Sequence, residues 1–448
     1  MNYNEFKNAV IEAAKELDIT DYELYYHTSE STEVKTFRHE INGFSSSLEG
    51  GVCFRCLVNG RMGYASTEDL SAASAKAVVE RAAENAAALE TDDEEFLCEG
   101  GMEYARAETR DDDPAPADRL IATALAGQDA LYAADPAVVD GCETDVVAFR
   151  EAIAIANSRG LDLSYTNTAE LAVSVAVVSD GSEMNDAYKF KGGRLCDIDV
   201  SELAKNAVAD AKSKLGADVA PTGAYPVVFS PEAFISMLQT FSSVFSSEAA
   251  RKDLSRLKDA EGTVIASDKV TIVDDPFYKD SLMPIGFDAE GSPAYKKNVI
   301  ENGVLKTLLY NLKSAAALGK KTTGNASKGS YASPVGISPF TMYLAPGALS
   351  EDELLARAGN GVYIDSLGGL HAGANPVSGD FSLQSAGFMI ENGKKTTAVK
   401  SFTVAGNFYD LLKNVVEAAN NIEIFSMGGT TSFASPSVLV DGLTVAGK

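Results

Sequence analysis

The strongest constraint on this chain is a set of Asn-Gly pairs placed between alternating apolar runs. Asn392-Gly393 separates Phe388-Met389-Ile390 from the run after Lys395, and Asn59-Gly60 separates GVCFRCLV from RMGYAS. Asn302-Gly303 lies within the segment from Asn298 to Lys306, and it follows Ile-Glu just as the pair at 392 does. A two-residue hairpin turn needs positive φ at both central residues, which Asn and Gly tolerate best. Each pair therefore predicts two antiparallel strands in fixed register. In the first hairpin, Val52, Phe54, Cys56 and Val58 fall on one face. The two Ile-Glu-Asn-Gly hairpins are too far apart and too weakly matched to form a solenoid repeat.

Helical spacing supplies the other elements. Phe6, Val10, Ala13, Ala14 and Leu17 form one stripe over residues 3–17. Segments 22–27 and 33–39 read as separate strands. Ser66-Thr-Glu-Asp69 reads as a capping box, with Asp for Glu, opening an Ala-rich helix that runs to Leu89. Acidic, turn-rich stretches near 91–115 read as solvated loops. A helix over about 116–133 and strands near 144–156, 161–168 and 171–179 follow, the strands forming a second sheet or extending the first. A further helix spans 200–215.

Pro221 interrupts the pattern and marks a boundary between 1–220, an N-terminal α+β domain with a meander and long helices, and 221–448, a C-terminal β-rich domain with packed helices. Residues 227–229 read as a strand. Ser230-Pro231 then starts a helix whose stripe of Phe234, Met237, Leu238, Phe241, Val244 and Phe245 belongs in a core. Strands are expected to dominate from Val264 onward. Ser350 to Glu353 is a capping box, opening a helix that ends near Gly359. From Gly361 to Leu412 the chain reads as short strands and loops, punctuated by Gly368-Gly369, Gly373 and Ser378-Gly379-Asp380. Asn407 then caps a helix carrying Phe408, Leu411, Leu412 and Val415. SFASPSVLVDGLTVAG is expected to be a final strand.

Composition narrows the function. Hydrophobic residues make up 45% and charged residues 23%, as in soluble globular proteins. No run approaches the roughly 18 apolar residues of a membrane span. The first helix is amphipathic, unlike a signal peptide, so a cytoplasmic location without membrane contact is expected. A net charge of −26 opposes direct binding to nucleic acid. The odd set of Cys53, Cys56, Cys98, Cys142 and Cys196 reads as free thiols, and the odd spacing of Cys53 and Cys56 sends them to opposite strand faces. None of the three histidines is spaced as a metal pair; His27 lies in a strand and His39 precedes Glu40. His371 sits in the Gly-rich loop near Asn375, Ser378 and Asp380 and is the candidate to touch a ligand. No phosphate loop, dinucleotide fingerprint or G-x-S-x-G elbow occurs. The residues show no complete catalytic set.

The runs GLHAGANPVSGDFS, MIENGKKT, FTVAGN and SPSVLVDGLTVAG resemble the TldD/PmbA family, the modulators of DNA gyrase, as do GVCFRCLVNGRMGYAST, VTIVDDP, NVIENGVLKTLLYN and KTTGNA. They span nearly the whole chain in the family's order and look most like the PmbA (TldE) branch. The TldD branch carries H-E-x-x-x-H on the helix corresponding to about 230–247, with a later cysteine before a glycine, to hold zinc. Here that helix reads SPEAFISMLQTFSSVFSS and the cysteine position is matched by Met427-Gly428. The family class is metallopeptidase, but its motif is absent, so the resemblance implies no catalytic residue, no zinc in this chain, and zinc only in a TldD-type partner. It further implies a subunit that pairs with a TldD-like chain, with itself, or with both, and that offers unfolded or extended peptides a chamber lined by the loop His371 to Asp380, with Asn375 and Ser378, and by 426–436, with Met427 and Gly428. An independent hydrolase built on His371 and Asp380, or a regulatory protein-binding module, are the alternatives.

Overall fold

The computed structural model describes residues 1–91, 93–426 and 428–448. The fold is α+β. Its first part is a six-stranded antiparallel sheet in the order Arg61–Thr67, Glu40–Val58, Tyr22–Phe37, Glu143–Asn157, Asp162–Ser179, Met184–Gly193. Side chains alternate between its faces, so Leu24, Val52, Phe54 and Cys56 pack under the helices Tyr3–Glu16 and Ala72–Ala88. Val34, Val146 and Ala148 pack under the helix Ala117–Ala134, and the helix Val200–Ser213 lies beside that one. On the other face Tyr25, Cys53, Phe149 and Ile155 meet Leu282, Met283, Ile285 and Phe340 from the second part of the chain. Cys53 and Cys56 therefore serve different cores, and all five cysteines are free.

Several elements differ from the expectation. Segments 22–27 and 33–37 form one strand of 16 residues, with Arg38 and His39 in the turn that follows, and 161–168 and 171–179 merge into one of 18. Neighbours pair with both edges of Tyr22–Phe37, and this carries the backbone through the polar run 28–33. The later strands extend the first sheet, and Met184–Gly193 had no strand signal. The Ala-rich helix starts at Ala72. Its cap is Ser71, which accepts from the Ser74 amide at 3.2 Å, while Asp69 accepts from the Ser71 and Ser74 hydroxyls at 2.7 and 2.5 Å.

The second part contains a mixed sheet and a barrel. The mixed sheet runs Val304–Leu305, Lys297–Glu301, Ile272–Asp274, Thr341–Leu344, Ser432–Ser435, Glu423–Phe425. The barrel runs Val438–Ala446, Gly223–Phe229, Gly361–Gly368, Asp380–Glu391, Lys394–Asn407 and closes where the last strand pairs with the first. The expected final strand thus breaks at Pro436, whose missing N–H ends the ladder, and its halves join different sheets. Val415 leaves the helix Phe408–Lys413 and begins the strand Val415–Ala418. Residues 284–291 form loop, with one bridge between Phe287 and Pro293. The Asn-Gly turns have the required dihedrals, with φ of 52° and 77° at 59–60, 48° and 81° at 302–303, and 53° and 76° at 392–393.

The helix Pro231–Phe241 lies between these layers. Ser230 caps it by accepting from the Ala233 amide at 3.0 Å, and Phe234, Met237, Leu238 and Phe241 are fully buried. Phe241 stacks on Phe408 with ring centroids 4.5 Å apart. Replacing Phe241 by Ala should cost about 3–5 kcal/mol, seen as a lower urea midpoint with an unchanged slope.

A buried ionic joint ties the first sheet to the second part. Arg55 Nε donates to Glu23 at 2.8 Å and Nη1 reaches Glu290 at 3.5 Å. Beside them, burial and the Glu290 carboxylate push the Asp288 carboxyl up to about 7, against the amides of Ala326, Ser292 and Glu290, which favour its charged form. The folded chain thus holds this proton more tightly than the unfolded chain does. The resulting stability is full below the ordinary aspartate range and is lost as pH rises through that value. The stability advantage of the wild type over Asp288→Asn should therefore shrink between about pH 4 and about pH 8 in urea titrations.

Candidate functional site

A cleft of about 650 Å³ opens where the first sheet meets the second part. Its walls are the strand Met184–Gly193, the loop 278–282 and the segment 422–426, and its floor is the helix Pro231–Phe241. Both strands on its walls end their sheets. Among the described residues nothing pairs with the outer edge of Met184–Gly193 or of Glu423–Phe425. Phe190 and Phe425 meet edge to face across the gap, with centroids 5.3 Å apart. Gly192 lets Leu282 pack close against the strand, because a Cβ there would lie 2.5 Å from Cδ2 of Leu282.

The helix spends its apolar face on the core and turns Glu232, Ser236 and Gln239 towards the cleft. Their spacing of four and three residues puts them on one polar stripe. A relay of charges supports the wall: Lys189 donates to Asp210 at 2.7 Å, while Lys214 lies 3.2 Å from Asp210 and 2.8 Å from Asp365. Burial and the nearby Asp365 carboxylate push the Glu232 carboxyl above the usual range, with Lys189 opposing. Burial pushes the Glu423 carboxyl, also in the cleft lining, the same way. Among the described residues no three His, Cys, Asp or Glu side chains are grouped to hold a metal ion, and the floor helix offers one carboxylate with neither imidazole nor thiolate. The residues present do not fit zinc.

The PmbA/TldA metallopeptidase C-terminal domain matches residues 222–447, its domain 1 matches 22–86 and its central domain matches 110–215. The chain belongs to the PmbA/TldD family. A metalloprotease of Methanothermobacter thermautotrophicus is 33% identical over 302 residues, 64% of each chain. Metalloprotease PmbA of Escherichia coli O157:H7 is 28% identical over 65% of this chain and 62% of its own length. The matched stretches thus span less than two thirds of both relatives. Haemophilus influenzae supplies two relatives, both 26% identical: a PmbA homolog matched over 91% of this chain and 88% of its own, and a TldD homolog matched over 67% and 66%. A Thermotoga maritima crystal structure described as a modulator of a DNA gyrase shares 29% identity, with a TM-score of 0.91 over 99% of this chain and all of that one. TldE from Thermococcus kodakarensis, 23% identical, shares the fold with a TM-score of 0.88 over 98% and 99%.

In this PmbA/TldD chain His371, Asn375, Ser378 and Asp380 share one loop, and none of them lines the cleft. His371 is exposed on the short helix Leu370–Gly373. The Asn375 side chain accepts from the Val377 and Ser378 amides at 3.0 and 3.3 Å, and the Ser378 hydroxyl accepts from the Asp380 amide at 3.3 Å. Asn407 donates to Asp380 at 2.8 Å and, with Ser378, holds that carboxyl below its usual range. Asn375 and Ser378 thus bond the loop's own backbone. Gly428 lies elsewhere, beside Phe149, at φ 101°. The expectation for Met427 lies outside the described residues. Ser426 does line the cleft, accepting from Leu282 N at 3.4 Å. Sequence reasoning missed Glu232, Tyr188, Phe190 and Phe425; the polar stripe at 232, 236 and 239 was the available signal.

Replacing Lys214 by Met leaves Asp210 and Asp365 without this shared cation. It should cost about 1–3 kcal/mol by urea denaturation, with Lys214→Arg recovering most of the loss.

Proposed function

We propose that this chain is a peptide-binding, zinc-free subunit of a TldD/TldE-type metallopeptidase complex. The observation that carries the reading is the cleft floor: the helix matching the zinc helix of the TldD branch presents Glu232, Ser236 and Gln239 between two unpaired strand edges. Free edges offer N–H and C=O groups to an extended backbone whatever its side chains, which suits unfolded or extended peptides. The Phe190–Phe425 pair supplies apolar contact beside those edges. In this reading residues 1–220 and 221–448 are two domains whose seam is the cleft, and the chain works in the cytoplasm. The hydrolytic metal belongs to a TldD-like partner, a pairing supported by the presence of relatives of both branches in Haemophilus influenzae.

The test is metal content and cleavage of an unfolded peptide by this chain alone and mixed with a TldD-like subunit. The expected result is no stoichiometric zinc and cleavage only in the mixture. Chelator-sensitive cleavage by the chain alone would overturn the reading. Gln239→Trp, at an exposed cleft position, should weaken binding of a fluorescent extended peptide at least tenfold with the thermal midpoint unchanged.

A further inference from the structure

The strand at the other end of the first sheet, Arg61–Thr67, borders a second cavity of about 400 Å³. The short helices Ser247–Arg251 and Leu312–Ala317 and the residues Pro334 to Ile337 form its other walls. Its lining combines Lys252, Lys313 and Tyr64 with the apolar Leu254, Val335 and Ile337, and Leu254 is 49% exposed.

The acidic stretch before Phe96 reaches into this cavity. Lys313 lies 3.3 Å from Asp93 and 3.1 Å from Glu95, while Arg251 meets Asp93 through two nitrogens at 3.3 and 3.2 Å. The Tyr64 hydroxyl donates to Glu95 at 3.1 Å. Side chains make this attachment. Among the described residues the chain from Leu89 to Pro116 forms neither helix nor strand. The backbone of 93–96 makes one hydrogen bond there, from the Asp93 amide to Thr91 Oγ1 at 3.1 Å. Beyond it, Leu97 and Cys98 are buried. With Asp93 and Glu95 withdrawn, Glu248 is the one carboxylate left in the described lining, and it pairs with Arg251 at 2.9 Å and Lys252 at 3.0 Å. Lys313 then has no ion-pair partner among the described residues.

We propose that this cavity binds an acidic, extended peptide segment, and that Asp93 and Glu95 are an internal occupant which such a segment displaces. The occupant shows what fits. It sets two carboxylates, two residues apart, on the one ammonium of Lys313, and an extended backbone places such a pair on one side. Exchange is possible because ion pairs between partly exposed side chains are individually weak and the incoming carboxylates remake each one. An external segment also gains apolar contact that the internal one leaves unused, as the exposure of Leu254 shows. The net charge of −26 does not exclude an anion here, because charges more than about 8–10 Å away are largely screened and the local cations decide. This site and the cleft lie at opposite edge strands of the first sheet, so the inference is independent of the reading proposed for the cleft.

Fluorescence anisotropy on the full chain, with a labelled peptide of the segment's own sequence TDDEEFL, tests the proposal. Asp93→Asn with Glu95→Gln frees the cations and should bind this peptide at least tenfold more tightly than the wild type. Adding Lys313→Met should reverse the gain, as should adding Leu254→Glu, which sets a carboxylate at an exposed position of the lining. A peptide with Asn and Gln in place of Asp and Glu should bind at least tenfold more weakly, and Gln239→Trp in the cleft should leave the affinity unchanged. A neutralised chain that keeps its thermal midpoint and binds no more tightly than the wild type would overturn the proposal. So would a gain that survives both Lys313→Met and Leu254→Glu. Should the neutralised chain melt early, the wild type decides: saturable binding lost in Lys313→Met supports the site, and no binding, or binding indifferent to Lys313→Met, rejects it.

Discussion

The burial of one face of the helix Pro231–Phe241 is the interaction on which the rest depends. Phe234, Met237, Leu238 and Phe241 are removed from water completely, and each such side chain contributes about 1.5–3 kcal/mol. Their core is built by strands from both the barrel and the mixed sheet, so the helix is the element those two layers share. Fixing it from below leaves the stripe of Glu232, Ser236 and Gln239 to define the floor of a cleft. The helix can afford polar residues there because its other face is sufficient to hold it.

Electrostatics then sets the seam between the first sheet and the second part. Arg55, Glu23 and Glu290 leave water together and gain direction more than net stability, since desolvation offsets much of their attraction. Their value is positional: a guanidinium between two carboxylates fixes how the loop carrying Glu290 meets the sheet. At the cleft wall Lys189, Lys214, Asp210 and Asp365 do the same with more solvent at hand. The two strand edges meet through the aromatic contact of Phe190 with Phe425.

The two ends of the first sheet illustrate opposite treatments of an open edge. One carries charges and faces the cleft. The other has no charge from Ile41 to Leu48 and leaves Phe44 and Leu48 exposed.

Local chemistry settled much of this fold before any packing is considered. The Asn-Gly turns, the Ser230-Pro231 start and the Ser350–Glu353 box each depend on the dihedrals and hydrogen bonds of a few neighbouring residues. The same is true of Cys53 and Cys56, whose separation follows from the two-residue period of a strand. The sequence could also show that His371, Asn375, Ser378 and Asp380 share a loop, but it could not show that Asn375 and Ser378 bond the loop's own backbone or that Asn407 bonds Asp380. Tertiary structure alone decided that 432–446 divides between two sheets, that Met184–Gly193 is a strand, and that it comes to face Glu423–Phe425. Those outcomes rest on pairing and packing between separate elements, where partner edges and buried area, not local propensity, choose the conformation.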